Sequence, residues 1–381
     1  MPEGIFRYEE CLLKHYIRKE AWLPRCVSRK RAFQEAKTKA AKNRRLRYFT
    51  FCAVGAVDVL MLDVEKVIRP DANGRFNTVC YFDVTEDYVN ETQKRIPGAI
   101  GFPGDFVDIV LGEDPEEDTY VDELAPLAAA TDKAETLATE REQVRLAQRR
   151  KFMLQFPFDV INLDLEEFLF RPTTPPPGRL MRAFRKVFEW QRRPLRIGRS
   201  EFTLDGFSLM LTTQIGPRNL PPEYIGELHS YLEQNLNEDA ELRPILLRRT
   251  GNDDLATLCA NNFEEFFRLC MPKALLKLLM EEDWYIDPGR GISLFEIERE
   301  WKQGNYKMLH LVLDVNRQNP DRDHRFAGAP GREVVDAHRT VVRGIFDRRE
   351  IAVTNAVIDQ ATLQSHLDKI KARRTKYLGE N

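Results

Sequence analysis

Acidic residues and glycines recur in this chain at one kind of place, directly after short apolar runs. RYFTFCA (47–53) leads into the small-residue turn Ala53-Val54-Gly55-Ala56, and TVCYF (78–82) ends in Asp83. AIGFP (99–103) ends in Gly104-Asp105 with Phe106 beside it, and FDVINL (158–163) ends in Asp164, followed by Glu166 and Glu167. A carboxylate can accept hydrogen bonds from both hydroxyls of a ribose diol, and a second can accept one from the exocyclic amine of adenine. Small residues at 53–56 let the backbone approach such a ligand, and a helix that follows offers free N–H groups. Glu166 or Glu167 could act as a general base on a hydroxyl or amine if burial raises its pKa. Acids at that place are equally suited to cap a following helix.

These residues need strands to carry them and helices to bring the chain back. After the first turn, Leu60, Met61, Val64 and Ile68 fall at helical spacing, and a second helical pattern follows Asp83. The alternation predicts an α/β fold, a Rossmann-like sheet with helices on both faces and ligands at the carboxyl ends of its strands. Four regions are expected. Residues 1–47 form a basic helical N-terminal segment and 48–220 the Rossmann-like core. Residues 221–300 form a helical subdomain, and 301–381 supply a late strand completing the sheet and a helical tail. FTLDGFSLMLTTQIG reads as a further strand or hairpin. ISLFEIEREWKQG with YKMLHLVLDVNR reads as a strand pair, or as a helix and then a strand. The acidic stretch 112–123 and the prolines of TTPPPG read as loops.

In order, the strand ends resemble those of the class I S-adenosylmethionine-dependent methyltransferases. The resemblance covers about residues 46–216, with the strand near 306–316 in the place of a seventh. It implies S-adenosylmethionine as cofactor, with Ala53 and Gly55 near its methionine part, Asp83 on the ribose, and Gly104, Asp105 and Phe106 at the adenine. It also implies that Asp164, with Glu166 and Glu167, faces the substrate. The first turn has one glycine, and no Pro-Pro pair comes directly after Asp164, where the chain reads Leu165-Glu166-Glu167-Phe168. These two features motivate the alternative, a non-catalytic methyltransferase-like binding or assembly module.

Charge suggests the partner. The net charge of −2 hides two basic stretches. Lys14 to Arg47 holds 13 Lys or Arg against Glu20 and Glu35, and Arg179 to Arg199 holds eight against Glu189. They predict nucleic acid as substrate, contacted through segments 14–47 and 179–199 and by Arg44, Arg45, Arg182 and Arg185. The other reading of both stretches is a solvated helical face. The helices of 222–300 are the expected site for a protein partner. The six cysteines lack a paired C-x-x-C spacing, so reduced structural thiols and no metal site are expected. No apolar run reaches the ~18 residues of a membrane span, and the expected location is cytoplasmic. Phosphate-loop, G-x-S-x-G and H-E-x-x-H motifs are absent.

Overall fold

The computed structural model describes residues 11–35, 44–52, 55–112, 133–165, 178–197, 200–215, 222–301, 304–317, 332–347 and 350–378. Its framework is a mixed nine-stranded sheet flanked by helices, an α/β architecture compatible with a Rossmann-like fold. β1 (Tyr48–Thr50), β2 (Val79–Asp83), β3 (Ile100–Pro103) and β4 (Val160–Asp164) are parallel, with β1 paired to both β2 and β4. β5 (Leu195–Ile197) and β6 (Ser200–Phe202) form a separate antiparallel pair. β7 (Gly206–Ile215) then runs parallel beside β4.

The late strands extend this sheet. β8 (Trp284–Ile286) and β9 (Ile292–Trp301) both pair antiparallel with β10 (Gly304–Arg317), which pairs antiparallel with β7. The short β11 (Ile351–Ala352) adds to β9, giving the order β11-β9-β10-β7-β4-β1-β2-β3. The segment 292–317 is thus a strand pair. Its first member lies largely inside the stretch 221–300, so that stretch is helical only as far as Glu281.

Strand alternation divides the buried side chains between two faces. Phe49, Ile161, Leu163, Leu209 and Leu211 pack on one face, Tyr48, Val160 and Met210 on the other. Against the second face lie α1 (Leu12–Ile17), which continues through a π-helical turn (Arg18–Trp22) into α2 (Leu23–Gln34), then α3 (Val57–Val64) and α4 (Glu86–Arg95). The first face is covered by α5 (Phe106–Leu111), α6 (Lys133–Met153), α7 (Arg179–Trp190), α8 (Pro222–Glu238), α9 (Leu242–Thr250), α10 (Leu255–Asn261), α11 (Phe263–Glu281) and α12 (Arg332–Asp347). The last helix, α13 (Gln360–Leu378), returns to the second face and packs on α3.

Helix composition matches position. α3, VDVLMLDV, is buried from Val57 through Asp63 because it lies between the sheet and α13, and it is apolar nearly all round. α4 is amphipathic. It opens with Thr85 accepting from the Tyr88 N–H at 3.2 Å, and carries acids in its first turn and bases in its last.

Candidate functional site

Strand order reverses between β1 and β4: the chain moves outward through β2 and β3 on one side and through β7 on the other. In open α/β sheets, ligands bind outside the carboxyl ends of the strands at such a point. The residues there come from the turn after β1 and the ends of β2, β3 and β4.

Gly55 is buried just past β1, and Ala56 follows with φ 46° at the start of α3. Left-handed backbone is costly for a residue with a Cβ. Its neighbourhood is held from below by Asp58. One oxygen of that buried carboxylate, Oδ2, accepts from Tyr48 Oη at 2.8 Å, Thr50 Oγ1 at 2.7 Å and Asn162 Nδ2 at 3.2 Å. This network ties the first turn of α3 to β1 and β4, and no local sequence signal announced it. Ala53 lies outside the described residues.

Asp83 ends β2. Its Oδ1 accepts from the Val84 N–H at 2.7 Å, and its carbonyl accepts from the Gly104 N–H at 2.9 Å, which joins the ends of β2 and β3. Burial pushes the Asp83 carboxyl up to about 6, against the opposing Val84 hydrogen bond. The next side chain, Val84, is 71% exposed. Gly104 has φ 118°, a conformation open to glycine, and so turns the chain into α5. Asp105 is the cap of that helix: its Oδ1 accepts from the N–H groups of Val107 at 2.7 Å and Asp108 at 3.1 Å. Phe106 packs into an aromatic cluster, 4.9 Å from Phe51 and 5.2 Å from Phe82 between ring centroids.

Asp164 ends β4 and meets a partner that the sequence did not suggest. Lys14 of α1, buried to 1% exposure, places Nζ 2.7 Å from Asp164 Oδ2. Burial opposes the carboxylate's charge, but Lys14 and Arg18 outweigh it and hold the group below its usual range. Beside Asp164 in the sheet stand Thr212 and then His310, whose Nδ1 lies 2.9 Å from Thr212 Oγ1. Burial drives the His310 imidazole down to about 3. Next to Lys14 on α1, His15 Nε2 lies 3.1 Å from His366 Nδ1, and His366 Nε2 is 3.0 Å from Glu65 Oε1, which fastens α1 to α13 and the end of α3. Glu166 and Glu167 lie outside the described residues.

Of the four arginines expected to contact nucleic acid, two lie away from the carboxyl edge. Arg44 and Arg45 precede β1, so they lie at the amino edge of the sheet. Arg44 makes a bidentate pair with Asp159 at the start of β4, with 2.8 Å between Nη1 and Oδ2, and exposed Arg45 is within electrostatic reach of Asp71. On α7, Arg182 is half-buried, and Arg185 donates from Nε to Glu282 Oε1 at 2.9 Å. Arg25 and Arg29, from the first basic stretch, converge with Arg290 on buried Asp314, with Arg25 at 2.7 Å and Arg290 at 2.9 Å. The basic stretches therefore spend many of their charges on acids distant in sequence.

Among the described residues, no group of three His, Cys, Asp or Glu side chains is arranged to hold a metal ion, and the cysteines are unpaired thiols. No helix among them is long and apolar enough to cross a membrane. Comparison with known proteins finds no family model that matches the chain and no curated protein that matches it.

Proposed function

We propose that the chain binds S-adenosylmethionine at the carboxyl edge around β1 and β2 and acts as a methyltransferase. The observation that carries this reading is Asp83. It is a half-buried carboxylate at the carboxyl end of β2, beside the point where strand order reverses, with exposed Val84 next to it. A ribose diol suits that carboxylate as a pair of donors, and Val84 offers an apolar surface to a purine. The order of the sheet supports the reading, because β10 stands between β7 and β9 where the resemblance requires a late seventh strand. The bound cofactor, its ribose held by Asp83, would supply an electrophilic sulfonium methyl group to a substrate nucleophile.

Nucleic acid as the methyl acceptor draws less support. Of the four arginines expected to serve it, Arg44 and Arg45 lie at the amino edge and Arg185 is held by Glu282.

A second reading, the non-catalytic module, is favoured by one observation: Asp164, the residue expected to face substrate, has an oxygen bonded to buried Lys14. Calorimetric titration with S-adenosylmethionine and S-adenosylhomocysteine separates the two. Micromolar binding that Asp83→Ala abolishes is the result expected of the methyltransferase. Absence of heat with both ligands overturns it in favour of the module.

A further inference from the structure

Three buried polar atoms under the π-helical turn have no hydrogen-bond partner: Trp22 Nε1, Asp164 Oδ1 and His310 Nε2. They belong to one cluster. Register places Asp164, Thr212 and His310 in a single row across β4, β7 and β10, with their side chains on the α1 face. The Trp22 ring lies 6.4 Å from the His310 ring between centroids, and the Arg18 guanidinium sits 5.8 Å from the Trp22 centroid. Lys14 holds the other oxygen of Asp164. Trp22 and His310 are almost fully buried, and Asp164, with 11% of its side chain exposed, is the most exposed member of the cluster.

Buried donors and acceptors are costly to leave unmade, so their types define what would relieve them. Trp22 offers only a donor, ionised Asp164 only acceptors, and His310 Nε2 either one according to its tautomer. An ammonium group has nothing to accept from Trp22 and meets the charges of Lys14 and Arg18. A carboxylate has no proton for Asp164, and both carboxylate and phosphate meet its charge. A hydroxyl, of water or of an alcohol, accepts and donates at one atom, carries no charge and is small, and a saturable response to an alcohol is what separates the two. We propose that Trp22, Asp164 and His310 form a subsite for a hydroxyl-bearing segment of the molecule bound at the carboxyl edge. The proposal rests on the reading of that edge as a ligand site, and it assigns the acceptor substrate to the alcohols and polyols. It gives the π-helical turn a role, since that turn carries Arg18 and Trp22 inward.

The test uses the full chain with indole-¹⁵N-labelled tryptophan. The chain has four tryptophans, so the Trp22 cross-peak is assigned by its loss in Trp22→Phe or, should that variant not fold, by its displacement in His310→Gln. Glycerol, ribose, methylammonium chloride, sodium acetate and formamide are titrated separately. The expected result is a saturable downfield shift of the Trp22 N–H with glycerol or ribose, with apparent affinity about tenfold weaker in Asp164→Asn. No movement with either hydroxyl compound overturns the proposal. So does a shift of equal size with methylammonium, acetate or formamide. S-adenosylhomocysteine, titrated in the same way, keeps the two readings apart. A response of Trp22 to glycerol or ribose with none anywhere to the nucleoside leaves the subsite standing and removes the cofactor. The reverse removes the subsite alone.

Discussion

The two faces of the sheet are built on different chemistry. The face under α5, α6 and α7 is phenylalanine-rich. Phe152 lies at its centre, 5.0 Å from Phe49, 4.8 Å from Phe82, 5.2 Å from Phe102 and 5.0 Å from Phe156 between centroids. The face under α1, α2 and α3 is threaded with buried polar groups: Tyr48, Thr50, Asn162 and Asp58 at one place, Asp164, Thr212 and His310 at another, and Ser208 with Asp314 at a third. Apolar burial supplies stability without direction. Polar groups inside the fold are costly unless each finds a partner, and in return they fix geometry. One face therefore holds the sheet together while the other sets where its strand ends point.

The contrast can be broken by mutation, and the largest effect is expected on the aromatic face. Phe152→Ala should destabilise by about 3–5 kcal/mol, measured by denaturant unfolding, because the rings packed around it cannot close over the hole. A loss near zero would mean that this face is not the stabilising one. Asp314→Ala comes next, at about 3 kcal/mol, since it strands Arg25 and Arg29 around a buried position. Circular dichroism melts would show whether the variant stays folded.

The third prediction concerns pH. Burial raises the Asp83 carboxyl from 3.8 to about 6, so its contribution to stability is complete below its unfolded value and is lost as pH rises through about 6. Asp83→Asn should therefore raise the melting temperature relative to wild type more at pH 7 than at pH 5. Equal differences at both pH values would place the carboxylate in solvent. A smaller effect, about 1 kcal/mol, is expected for Tyr48→Phe, which removes one hydrogen bond to Asp58. Its more telling readout is weaker binding of S-adenosylhomocysteine, because Asp58 anchors the turn after β1. The smallest effect belongs to Arg185→Ala, under about 1 kcal/mol, since Arg185 is itself exposed although its partner Glu282 is buried. RNA binding by filter assay should keep its salt slope in this variant; a reduced slope would restore Arg185 as a phosphate contact.

The apolar face was the easier one to read from sequence. TVCYF, VINL and the run 206–215 are continuous enough to mark central strands, and Asp83 and Gly104 follow their strands directly. The polar face was not legible in the same way. Lys14 and Arg18 sit four residues apart among other basic residues, the pattern of a solvated helical surface, and only Asp164, 150 positions away from Lys14, makes that surface an inside. The same holds for Arg44, whose partner Asp159 is distant in the chain. Its location, however, was within reach of sequence reasoning. A residue just ahead of a parallel strand must lie at that strand's amino end, away from the edge where ligands bind.

The π-helical turn of 18–22 has a consequence for the reading frame of the helix around it. In a regular α-helix each four-residue step overshoots a full turn by about 40°. A wider turn falls short of one, so Lys14, Arg18 and Trp22 come back toward a single line. Remove one residue between Arg18 and Trp22 and the helix can close into regular α geometry with Lys14 still turned toward Asp164, because five residues at the wider pitch sweep nearly the angle that four sweep in an α-helix. The same deletion in the regular helix that follows would instead rotate everything ahead of it by about 100° and carry Lys14 off Asp164. The wider turn is thus the place in this stretch of the N-terminal segment where length can change by one without shifting the segment as a whole.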